Sequence, residues 1–205
     1  MRLVQVAGWL GSGKTTLIIA LARGLSDRGK TIAILVNEIG AVPVDGRVVQ
    51  EYGLTVKDIG GGCICCEVAG NMARTIKTLA EGPKPDIVII EPTGLAVPSS
   101  IRETIMSWPG PLDISMGPTI VLFDATRMEK LLGYESLKRL IVAQMTDADI
   151  IALSKADSAP EEKLLEARNA VRLINPGAQI MLLSTNSGEG VAALIQAADE
   201  MRVMP

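Results

Sequence analysis

Six short runs of Val, Ile and other apolar residues recur along this chain of 205 residues, separated by longer amphipathic stretches. Each run is almost continuously apolar, which is typical of strands buried on both faces of a parallel sheet. The predicted strands are 3–7, 31–36, 86–90, 119–123, 149–153 and 179–183. The predicted helices lie near 14–27, 67–81, 98–107, 135–146, 160–174 and 190–202. This alternation predicts a doubly wound α/β fold, with one mostly parallel sheet of six or more strands flanked by helices.

Composition narrows the class of protein further. Apolar residues make up 48% of the chain and charged residues 21%, so we expect one globular domain over residues 1–205. The net charge of −3 offers no basic surface for a nucleic acid, and no apolar run is long enough to cross a membrane. The absence of histidine excludes imidazole catalysis and histidine metal ligands. Three clustered cysteines indicate a reducing, cytoplasmic location.

A glycine-rich loop follows the first predicted strand and opens the first predicted helix. The sequence G-W-L-G-S-G-K-T, starting at Gly8, matches G-x-x-x-x-G-K-[ST] in full. Such a loop predicts a P-loop NTPase, because its backbone N–H groups and the helix N-terminus attract phosphate. We expect Lys14 to neutralise the β and γ oxygens and the Thr15 hydroxyl to bind Mg²⁺. The predicted nucleotide contacts here are Gly11, Ser12, Gly13, Lys14, Thr15 and Thr16.

A second element, E-P-T-G at residues 91–94, directly follows the third predicted strand. Ligands of α/β sheets bind at the carboxyl ends of the strands. Glu91 is therefore a candidate to hold Mg²⁺ through a water, and the Gly94 N–H a candidate to meet the γ-phosphate. The alternative is a solvated turn.

The tetrapeptide S-K-A-D at residues 154–157 follows the fifth predicted strand and resembles the N-K-x-D loop of GTPases. One carboxylate can accept both N1–H and N2–H of guanine, and adenine offers neither donor. We therefore expect Asp157 to select guanine and the Lys155 stem to lie over the base, although Ser154 replaces the usual Asn. The loop that starts at Ser184 follows the next strand and is predicted to close over the base.

All three cysteines lie in G-G-G-C-I-C-C-E, within a long glycine-rich segment (37–66) that we expect to be irregular and functional or mobile. Thiolates suit Zn²⁺ and similar transition metals. Without histidine, an acid, water or second chain must complete a metal site. Glu38 is the nearest candidate on the same rim. Apolar packing of the thiols and a redox pair remain alternatives. The candidate ligands are Glu38, Cys63, Cys65 and Cys66.

The chain carries, in order, the motifs W-L-G-S-G-K-T-T, N-E-I-G, G-G-C-I-C-C, E-P-T-G and S-K-A-D. From Val4 to about Gly190 it resembles the CobW/HypB/UreG family of P-loop GTPases, and its C-x-C-C element is most similar to the CobW-like branch. The resemblance implies a GTP-dependent metallochaperone for metallocentre or cobalamin-related assembly. We expect only the nucleotide-binding domain, with no C-terminal CobW-type domain.

The resemblance also implies ligands and partners. Cys63, Cys65, Cys66 and Glu38 would hold Zn²⁺ (or Co²⁺ or Ni²⁺), and Thr15 and Glu91 would serve Mg²⁺, with Asp45 a weaker candidate. GTP and GDP would bind, a nucleotide-linked homodimer would form, and a client metalloprotein would receive the metal. Hydrolysis would be slow without a partner, with Lys14, Glu91 and Gly94 as its catalytic groups. Glu38 could instead orient the attacking water.

Four functions are therefore compared. The hypothesis favoured by the motifs is a switch in which the segment 37–66 links the thiolates to the γ-phosphate. An ATPase that reactivates a metallocofactor enzyme is the nearest alternative, followed by a non-catalytic metal or redox sensor. A P-loop kinase would require an arginine-bearing lid, and no such insertion is visible in the sequence.

Overall fold

Parallel strands form the centre of the protein. The computed structural model describes residues 1–36, 55–58, 67–82, 84–92, 97–107 and 113–203. The strands are β1 (Arg2–Gly8), β2 (Ile32–Val36), β3 (Thr55–Asp58), β4 (Ile87–Glu91), β5 (Ser115–Asp124), β6 (Ile150–Ser154) and β7 (Gln179–Leu183). Within the described residues they form one seven-stranded sheet in the order β3-β2-β4-β1-β5-β6-β7. Every neighbouring pair is parallel, which confirms the doubly wound α/β prediction.

Helices cover both faces of this sheet. They are α1 (Lys14–Ser26), α2 (Glu67–Glu81), α3 (Ser99–Met106), α4 (Met128–Gly133), α5 (Glu135–Thr146), α6 (Glu161–Ile174) and α7 (Val191–Glu200). Helices α1 and α7 pack on one face, and α2 to α6 pack on the other. Short 3₁₀ turns, Ala125–Arg127 and Ala156–Ser158, follow β5 and β6. No helix in the described part of the chain combines the length and apolar character that crossing a bilayer requires.

The central strand β1 explains why the predicted strands are continuously apolar. Val4 and Val6 pack beneath α1 and α7. Leu3 and Ala7 point to the opposite face, where they pack with the other helices. Since successive side chains of a strand point to opposite faces, a strand covered on both sides must be apolar at every position.

All six predicted strands and all six predicted helices form, and most of their ends agree within a residue or two. Strand β5 is longer than predicted because it begins at Ser115. The first residues of β5 include Gly117 and Pro118, and glycine and proline usually interrupt strands. Here Leu3 pairs with Met116 and Gln5 pairs with Thr119, so β5 carries an extra residue at a bulge. A bulge accommodates a proline because it does not need every N–H of the ladder.

The expectation of an irregular connection over 37–66 was wrong at Thr55–Asp58, which forms β3 at the edge of the sheet. Four residues, two of them charged, have no apolar pattern that would predict a strand. Pairing with β2 supplies its hydrogen bonds. The six-residue helix α4 was also missed, because so short a segment carries little helical periodicity.

Candidate nucleotide-binding site

The glycine-rich loop begins at the end of β1, where β1 packs tightly against β5. Gly8 pairs with Leu122 and has a φ of +137°. A Cβ atom on Gly8 would lie 2.5 Å from the carbonyl oxygen of Leu122, which is closer than real Cβ atoms approach. Glycine at this position therefore allows both the backbone turn and the close packing of the two strands. Since β1 lies between β4 and β5, the loop starts at the topological switch point of the sheet.

The loop leads into α1 through two further glycines with positive φ. Gly11 has a φ of +75°, and Gly13 is the left-handed N-cap of α1, with a φ of +97°. Among the described residues, no side-chain hydrogen bond caps this helix, and a helix N-terminus presents its first N–H groups to a ligand. The Ser12 hydroxyl is buried and has no hydrogen-bond partner among the described residues. These donors fit a polyanion such as a phosphate chain.

Lys14 and Glu91 lie together beside this loop. The Lys14 Nζ lies 3.9 Å from Glu91 Oε1 and donates to the carbonyl oxygen of Trp9 at 3.4 Å. Both side chains are buried. Glu91 ends β4, so it lies at the carboxyl edge of the sheet, as predicted. Thr15 and Thr16 lie in the first turn of α1 and are exposed.

The predicted base loop lies on the other side of the glycine-rich loop. Lys155 follows β6 with left-handed backbone angles, a φ of 59° and a ψ of 37°, and Asp157 is exposed in the 3₁₀ turn after it. The Ser184 hydroxyl, and then the Asn186 amide, lower the pKa of Asp157 by hydrogen bonding to its carboxylate. Ser184 itself is buried and directly follows β7. A carboxylate held ionised in this way is a strong acceptor.

One pocket of about 330 Å³ joins the two loops. It is lined by Ser12, Gly13, Thr16, Leu122, Ser154, Lys155, Asp157, Ser158, Leu183, Thr185 and Asn186. The structure thus brings predicted phosphate contacts and predicted base contacts to one cavity. The Ser154 hydroxyl in its wall is buried and unpartnered among the described residues.

Several predicted site residues lie outside the described residues. They are Glu38, Asp45, Cys63, Cys65, Cys66 and Gly94. In the part of the chain that the structure describes, no three Cys, Asp or Glu side chains come together as a possible metal site. The thiolate metal site therefore stays a prediction.

Sequence reasoning missed Asp124, Thr126 and Arg127 near this pocket, and it gave no side-chain role to Asn186 of the loop predicted to close over the base. Asp124 is buried at the end of β5, where its Oδ2 accepts from the Lys155 ammonium and its Oδ1 from Thr126. Arg127 donates to the Leu10 carbonyl oxygen at 3.3 Å, and Asn186 donates to Asp157 Oδ2 at 3.4 Å. The signal that could have identified Asp124 is its position directly after a predicted buried strand, which Glu91 shares.

Two curated proteins are similar in sequence to most of this chain. The zinc chaperone YeiR of Escherichia coli is 35% identical over 159 residues, which cover 77% of this chain and 47% of YeiR. The zinc chaperone CobW of a Sinorhizobium species is 31% identical over 217 residues, covering 93% of this chain and 60% of that protein. This chain thus spans about half the length of the curated relatives it matches.

Among solved structures, the hydrogenase maturation factor HypB of Archaeoglobus fulgidus superimposes with a TM-score of 0.67 at 20% identity. The match covers 96% of this chain and 87% of HypB, and it supports the fold. The family model for the CobW/HypB/UreG nucleotide-binding domain matches residues 2–182. That span includes the glycine-rich loop, Glu91 and the base loop, so the chain belongs to the CobW/HypB/UreG family of nucleotide-binding domains.

Proposed function

We propose that this chain binds and hydrolyses GTP in the pocket between the two loops, and that its nucleotide state controls the binding of a transition metal ion for delivery to a client metalloprotein. The observation that carries the proposal is that one pocket is lined both by the phosphate loop and by Asp157. A ligand that fills it must present phosphates at one end and a hydrogen-bond donor edge at the other.

The carboxylate of Asp157 favours guanine as the base at that end of the pocket. Its carboxylate is kept ionised by the hydroxyl of Ser184, with a further bond from Asn186, so it acts only as an acceptor. Guanine presents two adjacent N–H donors, which one carboxylate can accept together, and the corresponding edge of adenine has no such pair. A match of this kind discriminates strongly, because the wrong base leaves the charged acceptor unpaired.

The phosphate end is served by the N-terminus of α1, the Ser12 hydroxyl and Lys14. Thr15 and Glu91 would hold Mg²⁺, because a hydroxyl and a carboxylate are the hard oxygen donors that this ion prefers. Bound there, Mg²⁺ would neutralise charge on the phosphate oxygens. Lys14 is already directed to this side of the sheet by its contacts with Trp9 and Glu91. Gly94 remains the proposed donor to the γ-phosphate.

The proposal that this chain carries a transition metal ion rests on its three cysteine thiolates and on where their segment leaves the sheet. The two curated relatives described above are named zinc chaperones. Strand β3 ends at Asp58, whose partner in β2 is Val36, and Val36 in turn pairs with Glu91 of the nucleotide site. Helix α2 begins at Glu67. By their sequence positions, the cysteines therefore belong to the connection between β3 and α2. This connection starts at the carboxyl ends of the strands, where the phosphate loop also begins.

Residue Glu38 and the three cysteines remain the proposed ligands of this cargo. Glu38 follows β2 by two positions, and β2 is the neighbour of the strand that carries Glu91. Thiolates favour Zn²⁺, Co²⁺ or Ni²⁺ over Mg²⁺, so cargo and nucleotide metal would not compete for ligands. A homodimer linked through the nucleotide, and a client that accepts the metal, are part of the proposal.

The test is a Zn²⁺ titration of the purified chain, with and without a non-hydrolysable GTP analogue. We expect the analogue to change Zn²⁺ affinity by about 5- to 150-fold, and Zn²⁺ to change analogue affinity by the same factor. Cys65→Ala should weaken Zn²⁺ binding and leave GDP binding intact. Asp157→Ala should leave Zn²⁺ binding intact but remove the effect of the analogue.

Three results would overturn parts of this proposal. Identical Zn²⁺ isotherms with and without the analogue would refute the coupling. Direct competition in which ATP displaces GTP would favour an ATPase that reactivates a metalloenzyme. Retained Zn²⁺ without any nucleotide hydrolysis, even beside a client, would favour a sensor.

A further inference from the structure

A buried carboxylate lies directly behind the base loop. Asp124 is the last residue of β5, is 1% exposed, and pairs in register with Ser154, which precedes Lys155. Burying a carboxylate costs free energy unless it is paired and hydrogen-bonded. The hydrogen-bond and ion-pair partners of Asp124 therefore indicate what the buried carboxylate contributes to the site.

The two oxygens of Asp124 serve different parts of the site. Oδ1 accepts from the backbone N–H of Thr126 at 3.1 Å and from its hydroxyl at 2.6 Å, which holds the turn after β5. Oδ2 accepts from the Lys155 ammonium at 2.6 Å. The first oxygen organises its own turn, and the second ties down a side chain 31 residues further along the chain.

This ion pair determines which part of Lys155 can meet a ligand. Lys155 lines the pocket beside Asp157, and 42% of its side chain is exposed. Because the ammonium group is engaged by Asp124, the aliphatic stem is the part that remains available to a base. A stem of methylene groups anchored at its far end forms an apolar surface suited to the flat face of a purine.

We propose that Asp124 is a positioning residue for nucleotide binding. It holds the Lys155 stem against the base and so raises affinity for guanine and adenine alike, whereas Asp157 distinguishes between them. The inference rests on the proposed nucleotide binding in this pocket. A free lysine side chain must lose rotamer freedom again when ligand binds, and this loss lowers affinity by about tenfold.

The test measures binding of GDP, ADP and inorganic tripolyphosphate to Asp124→Asn. The asparagine keeps an oxygen for Thr126 but presents an amide NH₂ to the Lys155 ammonium, so the turn survives and the anchor is lost. We expect GDP and ADP to bind about tenfold more weakly, with their ratio unchanged. Tripolyphosphate should bind with its wild-type affinity, because it reaches only the phosphate loop.

Two further variants separate positioning from a loss of folding. Asp149→Asn is the matched control, because Asp149 also joins β5 to β6 by accepting from Thr119 N–H and pairs with Arg102. Asp149 precedes β6 and so lies at the amino-terminal ends of the strands, away from the pocket. Its replacement should therefore leave GDP affinity unchanged. In a Lys155→Met background, Asp124→Asn should cause no additional loss, because the residue it acts through is gone.

The outcomes are distinguishable. Wild-type GDP affinity in Asp124→Asn would overturn the inference alone. So would an equal loss of tripolyphosphate binding, or a full additional loss in the Lys155→Met background. A wild-type chain that binds no GDP would overturn the proposed function and this inference with it.

Discussion

Replacing Gly8 by alanine tests whether the start of the phosphate loop depends on close strand packing. The added Cβ would lie 2.5 Å from the Leu122 carbonyl oxygen, although Cβ atoms essentially never come within 3.0 Å of a heavy atom outside their own residue and its chain neighbours. The end of β1 would therefore have to move by at least 0.5 Å, the difference between these two distances. The φ of +137° adds strain, because side chains rarely adopt it.

The two costs can be estimated separately. Backbone strain of about 1–3 kcal/mol and overpacking of about 1–3 kcal/mol together predict a loss near 4 kcal/mol. For a domain of this size, that corresponds to a fall in Tm of about 12 °C. Because the displaced residue opens the phosphate loop, GDP affinity should fall by at least about tenfold. Thermal unfolding followed by circular dichroism and GDP titration measure the two effects.

Gly29→Ala is the matched control for Gly8→Ala. Gly29 also has a positive φ, +77°, but a Cβ atom there would meet no atom of the described residues within 4 Å. It should cost only the conformational strain of about 1 kcal/mol, or about 3 °C in Tm, with GDP affinity unchanged. If the two variants melted together and bound GDP equally well, the argument from close packing of β1 on β5 would be refuted.

Three further predictions concern the base, a strand-end carboxylate and the core. Asp157→Asn should weaken GDP binding at least about 100-fold. It should favour xanthosine diphosphate, because the C2 oxygen of xanthine can accept a hydrogen bond from the new amide. Unchanged base selectivity in a competition assay would contradict this prediction. Asp86 accepts from the Thr31 N–H and hydroxyl, which lower its pKa below 3.8, so its stabilisation is present above that pH and is lost on acidification through the lowered pKa. Because solvent screens this exposed carboxylate, Asp86→Asn should cost only about 0.5 kcal/mol in urea unfolding at pH 7. The deficit should vanish well below pH 3.8, and a deficit independent of pH would exclude this cause. Leu21→Ala should cost about 2–5 kcal/mol because Leu21 is fully buried on α1, while Leu173→Ala, at an 88% exposed position, should stay within about 0.5 kcal/mol of wild type.

Local patterns predicted most of the fold because short apolar runs mark the buried strands and longer amphipathic stretches mark the helices. The run ending at Ala7, the following glycines and Lys14 identify a strand, a phosphate loop and a helix from a single stretch of sequence. The same reasoning failed for Thr55–Asp58, where four residues form a strand only because β2 offers unpaired hydrogen-bonding groups beside them. Pairing partners of that kind are not encoded in the segment itself.

The amino-acid sequence alone predicted six of the strands, six of the helices, a phosphate loop that starts at Gly8 and a base acceptor at Asp157. Each of these depends on neighbouring residues and on backbone freedom, which short-range patterns report. Tertiary structure decided that β1 lies between β4 and β5, with β6 next. That order brings Glu91, Asp124 and Lys155 close together at the carboxyl ends of the strands. The ion pair between Asp124 and Lys155 spans two strands, and only the register between those strands could place its two ends within bonding distance.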